Sequence, residues 1–325
     1  MPDRTTEALW YVGAGRAEIR NEPLADPGPG EVRIRALYSA ISLGTERLVL
    51  SGRVPESEFE RMRAPFMGGS FPFPVKYGYA TVGRVEAGPA GLLDRIVFVL
   101  HPHQSQFNAP ASAAVTLPDS VPPARAVLAA NMEAALNAVW DATPGPAARI
   151  AIVGAGVVGA LVAYQCGQLA GTHVTLVDIN PARAELARKL GVNFATPGAA
   201  PADCDLVIHA SGTAEGLSTA LALAGFEATV LEVSWYGDAQ VPVPLGGAFH
   251  SRRLKLVSSQ VGHVAPSHRA DWTHARRLAA AVEMLADARL DTLLAPAVAF
   301  HDLPARLPDI LDAKSGVLCQ VITYQ

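Results

Sequence analysis

The hydrophobic and polar positions of the chain fall into three zones. Residues 1–128 carry short alternating runs, such as EVRIRALYSAIS and ATVGRVEAG, between prolines and glycines. This pattern predicts β-strands joined by turns. Residues 129–262 alternate strand-like and helix-like segments, and residues 263–325 carry one strong helix pattern, DWTHARRLAAAVEMLADARL, before a β-rich tail.

The middle zone has the alternation that is typical of a parallel sheet with crossover helices. Its helix patterns are NMEAALNAVWDA, VVGALVAYQCGQLA, NPARAELARKLG and AEGLSTALALAG. Its strand patterns are RIAIVGAG, HVTLVDIN, CDLVIHASG and ATVLEVSWYG. We therefore expect an α/β fold in which residues 129–262 form an inserted domain, while residues 263–325 return to the domain that residues 1–128 begin.

Composition narrows the class of protein. The 325 residues are 50% hydrophobic and 17% charged, with a net charge of −4, which supports a large folded core and argues against a nucleic-acid partner. The chain shows no signal-peptide pattern and no uninterrupted apolar run of about 18 residues, so we expect a cytoplasmic protein with no membrane partner. Cys166, Cys204 and Cys319 are isolated and predict buried or half-buried thiols in a reducing compartment.

The most specific motif is Gly154-Ala155-Gly156-Val157-Val158-Gly159, which fits G-x-G-x-x-G between an apolar strand and a helix. The first glycine permits a tight turn, the second lets the backbone approach a pyrophosphate, and the third lets the helix pack close to the strand. Amides at the helix start favour phosphate. The motif predicts a dinucleotide site, with FAD and a turn that binds nothing as alternatives.

Asp178 follows the next strand about 20 residues later, the position from which a carboxylate accepts hydrogen bonds from ribose hydroxyls. A carboxylate there repels a 2′-phosphate, so NAD is favoured over NADP. Ile179 follows in the same turn. Arg183 lies close enough in sequence to contact a phosphate and works against this preference.

Two later strand ends carry small polar residues. Ser211 and Gly212 follow one strand, and Ser234 and Tyr236 follow the next. Because ligands of open parallel sheets lie at the carboxyl ends of the strands, these residues are candidate cofactor contacts. The alternative is that each group only forms a turn.

Taken together, GPGEVRIRALYSAISLGTE, VKYGYATVGRVEAG, LDRIVFVL, VGAGVVG and LDTLLAPAVAFHDLPARLPDIL resemble the medium-chain dehydrogenase/reductase superfamily over the whole chain. The resemblance implies a GroES-like β-rich domain, an inserted Rossmann domain with a doubly wound parallel sheet, a small-molecule substrate and a homodimer paired through Rossmann edge strands. Within the superfamily, GTERLVLSGRVP is most similar to the hydroxyethyl-bacteriochlorophyllide dehydrogenase-like branch.

The chain departs from the zinc members at each expected ligand. Leu43 stands where the first ligand, a cysteine, is expected, Tyr79 and Ala80 replace a His-Glu pair, and Ala130 falls at the third position. Leucine and alanine cannot bind zinc. We therefore expect no metal.

The resemblance also implies which residues do the chemistry. Thr45 stands at the proton-relay position, Tyr79 occupies the place of the lost histidine, and Glu133 begins a helix near the nicotinamide end. His103 is a further candidate acid or base, ahead of His101. Each has a structural alternative: a turn cap for Thr45, a space-filling aromatic for Tyr79 and a helix-dipole partner for Glu133.

These observations favour a zinc-independent oxidoreductase that transfers hydride between NAD(H) and a secondary alcohol or ketone. One alternative is an NAD(P)H-dependent quinone or enoyl reductase, which shares this fold without zinc. Another is a non-catalytic NAD-binding protein that has kept the fold and lost the chemistry.

Overall fold

The computed structural model describes residues 4–324, which form two compact units. The first unit comprises the residues up to 130 and those from 278 onward, and the second comprises residues 131–277. The sequence prediction put these borders at 128/129 and 262/263.

The strands, in chain order, are β1 (Thr5–Gly13), β2 (Arg16–Pro23), β3 (Glu31–Ile41), β4 (Gly68–Gly69), β5 (Val75–Lys76), β6 (Thr81–Ala87), β7 (Ile96–Val99), β8 (Gln106–Pro110), β9 (Val115–Thr116), β10 (Arg149–Val153), β11 (His173–Val177), β12 (Asn193–Ala195), β13 (Cys204–His209), β14 (Ala224–Glu232), β15 (Lys255–Ser258), β16 (Leu294–Ala299) and β17 (Cys319–Thr323). The α-helices are α1 (Leu43–Leu50), α2 (Pro123–Ala126), α3 (Ala129–Ala142), α4 (Val157–Gly167), α5 (Arg183–Leu190), α6 (Ala214–Leu223), α7 (His274–Glu283) and α8 (Leu303–Leu311).

The first unit is built mainly of antiparallel strands. One sheet has the order β16-β17-β3-β6-β7-β9, with β8 also paired to β3, and a second has the order β2-β1-β5-β4. The tail strand β17 pairs antiparallel with β3, from Gln320 opposite Ile41 to Thr323 opposite Tyr38. The end of the chain thus completes the sheet that its first third begins.

The second unit is a parallel sheet in the order β12-β11-β10-β13-β14-β15. The chain runs outward from β10 to one edge and then returns to build the other, as in a doubly wound fold. All its strands therefore end at the same edge. The predicted fold class, a β-rich domain combined with a Rossmann sheet, is confirmed.

The last predicted helix is shorter than its pattern suggested. Helix α7 ends at Glu283, and 3₁₀ turns follow at Met284–Ala286 and Ala288–Leu293. Asp287 between them has an extended backbone, and its side chain accepts the Arg289 amide at 2.9 Å. A short acidic side chain that caps a following turn competes with helix continuation.

Within residues 4–324, no helix combines the length and the apolar character needed to cross a membrane. Cys166, Cys204 and Cys319 are free and buried, as predicted.

Candidate functional site

The glycine-rich turn between β10 and α4 has three glycines in three different environments. Gly154 has φ of +110°, and a Cβ there would lie 2.6 Å from the Ser211 amide nitrogen. A Cβ on Gly159 would lie 2.0 Å from the Gly154 carbonyl oxygen, whereas one on Gly156 would meet no atom within 4 Å. Gly154 and Gly159 are thus required by the fold, while exposed Gly156 leaves open space at the start of α4.

Asp178 connects the end of β11 to this turn. Its Oδ2 accepts the Ala155 amide at 2.7 Å, and its Oδ1 accepts the Asn180 amide at 2.8 Å. A carboxylate can accept about four hydrogen bonds, so each oxygen can accept one more. Ile179 beside it is 85% exposed, and half-buried Arg183 begins α5.

A polar cluster lies where β13 and β14 end, and we call it the strand-end cluster: His209, Ser211, Glu232, Ser234 and Tyr236. His209 Nδ1 lies 2.6 Å from Glu232 Oε2, and His209 Nε2 lies 2.6 Å from Ser211 Oγ. Tyr236 donates its hydroxyl to Glu232 Oε2 at 2.9 Å, and the Ser234 amide donates to Glu232 Oε1 at 2.8 Å. His209 is fully buried, and the two serines are half-buried.

The two loops that carry the cluster are joined to each other. The Gly212 amide donates to Ser234 Oγ at 3.0 Å, and Gly212 itself has φ of +67°. Four residues predicted from the strand-end argument, Ser211, Gly212, Ser234 and Tyr236, therefore lie in one hydrogen-bonded group.

In the first unit, three hydroxyls meet at the start of α1, and we call them the hydroxyl cluster: Ser42, Thr45 and Tyr79. The Tyr79 phenol donates to Ser42 Oγ in a short hydrogen bond, and it lies 3.2 Å from Thr45 Oγ1. All three side chains are half-buried. The structure thus brings together the two residues that sequence reasoning placed at the reaction centre, Thr45 and Tyr79.

Burial raises the pKa of the Tyr79 phenol above its ordinary value. The hydrogen bonds to Ser42 and Thr45 oppose this rise, and the nearby Glu46 charge adds to it. The phenol is therefore protonated at neutral pH and acts as a hydrogen-bond donor.

Beneath the hydroxyl cluster lies a buried carboxyl network formed by Tyr11, Ser39, Glu46, His103 and Tyr324. Glu46 has no exposed surface; Tyr11 Oη donates to its Oε2 at 2.5 Å, and His103 Nε2 lies 3.1 Å from the same oxygen. His103 Nδ1 contacts Ser39 Oγ at 2.8 Å, and Ser39 contacts the Tyr324 hydroxyl at 2.9 Å.

The carboxyl network also holds the hydroxyl cluster in place. Glu46 Oε1 accepts the Ser42 amide at 2.7 Å, which fixes the residue that precedes α1. His103 packs against the backbone beside Tyr79, because a Cβ on Gly78 would lie 2.8 Å from the His103 ring.

The remaining candidate acids and bases are engaged in packing. Burial lowers the pKa of His101 to about 3, so its ring is neutral where it stacks on Phe107 at 3.6 Å. Glu133 is buried and pairs with Arg277 Nε at 3.0 Å. Burial raises the pKa of Glu133, and Arg277 opposes that rise. A catalytic role for Glu133 stays a prediction, as does one for fully buried His103.

Comparison with known sequences matches parts of the chain. Residues 150–213 match the family model described as ketopantoate reductase PanE/ApbA. L-threonine 3-dehydrogenase from Edwardsiella ictaluri (strain 93-146) is 33% identical over 118 residues, which are 36% of this chain and 33% of that protein. The match thus spans about a third of the length of this curated relative.

Comparison with solved structures extends to nearly the whole chain. L-idonate 5-dehydrogenase from Escherichia coli superposes with a TM-score of 0.80 at 14% identity, covering 99% of both chains. 2R,3R-butanediol dehydrogenase from Bacillus subtilis superposes with a TM-score of 0.77 at 14% identity, covering 98% of this chain and 100% of the other. The chain has the medium-chain dehydrogenase/reductase fold.

At the positions where the resemblance implies zinc ligands, the side chains present do not suit zinc. Leu43, Ala80 and Ala130 offer only hydrocarbon side chains, and the Tyr79 phenol is hydrogen-bonded and protonated. In the part of the chain that the structure describes, no group of three or more His, Cys, Asp or Glu side chains could hold a metal ion.

Sequence reasoning missed four residues that these sites depend on: Ser42, Glu46, His209 and Glu232. The sequence carries a signal for two pairs among them, Ser42 with Glu46 and His209 with Glu232. Ser42 and Glu46 flank the start of α1 at a spacing at which the acidic side chain can reach back to the first amide. His209 and Glu232 are the polar last residues of strands whose other buried positions are apolar, and ends of parallel strands meet at one sheet edge.

The different surroundings of Gly156 and Gly159 predict that a substitution at Gly156 weakens NAD binding, whereas a substitution at Gly159 weakens the fold. Gly156 has φ of −74° and open space around it, so Gly156→Val should change the free energy of unfolding by less than about 0.5 kcal/mol. The added side chain would occupy the space in front of α4, so NAD affinity should fall at least about tenfold. Isothermal titration calorimetry and urea unfolding measure the two quantities.

Gly159→Ala is the matched control for this test. Its methyl group meets the Gly154 carbonyl, so it should destabilise the fold by about 1–3 kcal/mol. Unimpaired NAD binding by a folded Gly156→Val protein would contradict the assignment of this turn.

Proposed function

We propose that this protein is an NAD-dependent oxidoreductase of the medium-chain superfamily that acts on a secondary alcohol or ketone without zinc. The observation that carries the proposal is the hydroxyl cluster, in which Tyr79 bonds to Ser42 and Thr45 where zinc members have their first metal ligands. A protonated phenol can supply the electrostatic stabilisation for which the zinc members use their metal.

The nucleotide unit supports the cofactor assignment. Gly156 leaves open space before α4, and the first-turn amides of a helix have no partners inside the helix, so a diphosphate can bind there. Asp178 is fixed at the neighbouring strand end by two backbone amides and keeps acceptor capacity for the ribose hydroxyls. Its negative charge favours NAD over NADP.

The chemistry requires a hydride and a proton to move in the same turnover. In alcohol oxidation the substrate loses hydride from carbon and a proton from oxygen, and a carbonyl forms; the nicotinamide of NAD, when bound, would supply the hydride acceptor. The chain's own task is to hold the substrate oxygen and to exchange its proton. Tyr79 Oη, joined to two further hydroxyls, is the group placed for both.

In the reductive direction the Tyr79 phenol supplies a hydrogen bond to the substrate oxygen. Because burial raises its pKa, the phenol is a donor at neutral pH and polarises a carbonyl oxygen that replaces Ser42 or Thr45 as its partner. When the substrate oxygen takes the Tyr79 proton after hydride addition, the Ser42 and Thr45 hydroxyls can relay a replacement proton from water to Tyr79.

Two other activities can be separated from this one by the product. A quinone or enoyl reductase would add hydrogen across a carbon–carbon or quinone system, whereas the proposed reaction changes only a carbon–oxygen bond. Mass and NMR spectra of the product distinguish these outcomes. A protein that binds NAD without catalysis would give no product with any secondary alcohol or ketone.

Tyr79→Phe should lower kcat about 100-fold, because one oxyanion donor contributes on the order of 10²–10³ to turnover. NAD affinity should stay within about twofold, since the substitution removes no group of the glycine-rich turn or of Asp178. Steady-state kinetics and calorimetric NAD titration provide the two readouts.

Tyr77→Phe is the control for Tyr79→Phe. Tyr77 is a buried phenol whose ring contacts Tyr79 edge to face, so it tests for general disturbance of the site. Full turnover by Tyr79→Phe would show that Tyr79 is only a packing residue.

Elemental analysis of the wild-type protein should give no stoichiometric zinc.

Asp178→Ser should shift the ratio of NAD to NADP affinity toward NADP by about tenfold. This corresponds to roughly 1.4 kcal/mol of relieved repulsion of the 2′-phosphate. Glu185→Gln, which removes an exposed carboxylate of α5, should leave the ratio unchanged. An unaltered ratio in Asp178→Ser would rule out Asp178 as the selecting group.

We also propose a homodimer that pairs through β15. This strand is the edge of the parallel sheet, all four of its residues are exposed, and Val257 is 43% exposed. An unpaired edge strand of this kind presents free hydrogen-bonding groups for a second copy. Light scattering should give the mass of a dimer, and Val257→Lys should shift it toward the monomer. A monomeric wild-type protein would refute this arrangement.

A further inference from the structure

Arg277 is the largest fully buried side chain in the described part of the chain, and it lies against α3. Its guanidinium donates from Nε to Glu133 Oε1 at 3.0 Å and from Nη1 to Asn137 Oδ1 at 2.5 Å. The same group donates to two main-chain carbonyls, that of His263 at 3.2 Å and that of Val261 at 2.5 Å. One hydrogen on Nε, two on Nη1 and one on Nη2 are thus engaged, which is four of the five that a guanidinium carries.

The two carbonyls belong to residues 259–265, which follow β15 and which we call the β15 loop. Helix α3 also holds both ends of this loop. Asp141 Oδ2 accepts the Ser259 hydroxyl at 2.6 Å, and Asn137 Oδ1 accepts the Ala265 amide at 3.0 Å. The start, the middle and the end of the loop are therefore each fixed by a buried or half-buried side chain.

The α3 side chains that take part are spaced four residues apart, so they share one face of the helix. We call them, with the arginine, the loop clamp: Glu133, Asn137, Asp141 and Arg277. Among the residues that the structure describes, no buried side-chain nitrogen or oxygen lacks a partner. A buried ion pair adds little net stability over apolar residues of the same volume, whereas a fully satisfied polar network specifies one geometry. The clamp thus fixes the shape of the loop more than it stabilises the unit.

The β15 loop leaves the parallel sheet at the same edge as the glycine-rich turn. One residue from each of four neighbouring strands lies in a single row across the sheet: Val153, His209, Glu232 and Ser258. The Ser259 amide continues from this row and donates to the Glu232 carbonyl at 2.9 Å. Three strand spacings put the loop about 14 Å from the turn along the edge. A doubly wound sheet binds a dinucleotide across both of its halves, and β13, β14 and β15 form the half without the glycine-rich turn.

We infer that Arg277 is a positioning residue, which with the rest of the loop clamp holds the β15 loop in its ligand-binding shape before the dinucleotide arrives. The inference rests on the proposed function, because it takes NAD as the ligand of this sheet edge. A loop that is already ordered loses little further conformational entropy on binding, so preorganisation raises affinity. Arg277 bonds to α3 and to the loop, so it acts on NAD through the loop.

The test compares NAD affinity with hydrogen exchange of the β15 loop in the full-length protein. A lysine ammonium is a point donor and cannot hold Glu133 and both carbonyls together, so Arg277→Lys should loosen the loop. Mass spectrometry should show faster exchange of the loop peptide than in wild type without NAD, and a return to the wild-type rate with saturating NAD. Calorimetric titration should show NAD affinity lowered about tenfold.

Chemical rescue tests whether the guanidinium group itself is responsible. Arg277→Ala removes the group and leaves Glu133 and Asn137 beside its place. Millimolar guanidinium chloride should raise the NAD affinity of this variant about threefold, whereas sodium chloride at the same concentration should not. If Arg277→Ala does not fold, Ser259→Ala is the milder variant: it removes only the hydrogen bond to Asp141 and should lower NAD affinity about threefold.

Two controls separate positioning from charge and from loss of stability. Arg276→Ala removes an exposed arginine that stacks on Trp272 next to Arg277 in sequence, and it should leave both readouts unchanged. Ile150→Ala opens a cavity near the amino end of β10, away from the edge that carries the glycine-rich turn. It should lower the melting temperature without changing loop exchange or NAD affinity.

The outcomes separate this inference from the proposed function. Faster loop exchange with unchanged NAD affinity in Arg277→Lys would overturn the inference and leave the NAD assignment standing. Unchanged loop exchange in Arg277→Lys would also overturn it, and so would an equal loss of NAD affinity in Ile150→Ala. Failure of the wild-type protein to bind NAD would overturn the proposed function itself.

Discussion

The burial of Glu46 is the constraint on which the first unit's site depends. A carboxyl group with no exposed surface is stable only if its oxygens are hydrogen-bonded, and Tyr11, His103 and the Ser42 amide meet that demand. These three partners come from β1, from the segment after β7 and from the start of α1. Satisfying one buried group therefore fixes three separate parts of the chain and holds Ser42 where the Tyr79 phenol reaches it.

In the second unit, the register of the parallel strands sets the positions of the candidate site residues. Parallel strands that end at one edge place the glycine-rich turn, Asp178 and the strand-end cluster side by side, although they are far apart in sequence. Close packing then limits the choice of residue. Gly154 must leave room for the Ser211 backbone, and Gly216 must leave room for Ser211 and His209. The polar groups at the edge are thus held by the same contacts that hold the sheet together.

Sequence reasoning succeeded where the signal is local and periodic. The alternating patterns identified the elements of the parallel sheet, the glycine spacing identified the tight turn before α4, and the strand-end rule placed Ser211 and Ser234 at one edge of that sheet. Sequence reasoning cannot reach roles that depend on what surrounds a side chain. His101, His103 and Glu133 had suitable chemistry for acid–base work, yet His101 is neutral in an aromatic stack, His103 is enclosed with Glu46, and Glu133 is paired with Arg277.

The sequence by itself determined the order of elements, the glycine-rich turn and the hydrocarbon side chains at Leu43, Ala80 and Ala130, because each of these is a property of residue type and spacing along the chain. Only the tertiary structure decided which hydroxyls meet Tyr79 and which carboxyl group is buried beneath them. It alone paired His209 with Glu232. Hydrogen-bond partners and burial are set by contacts between distant segments, and those contacts exist only once the strands have taken their register.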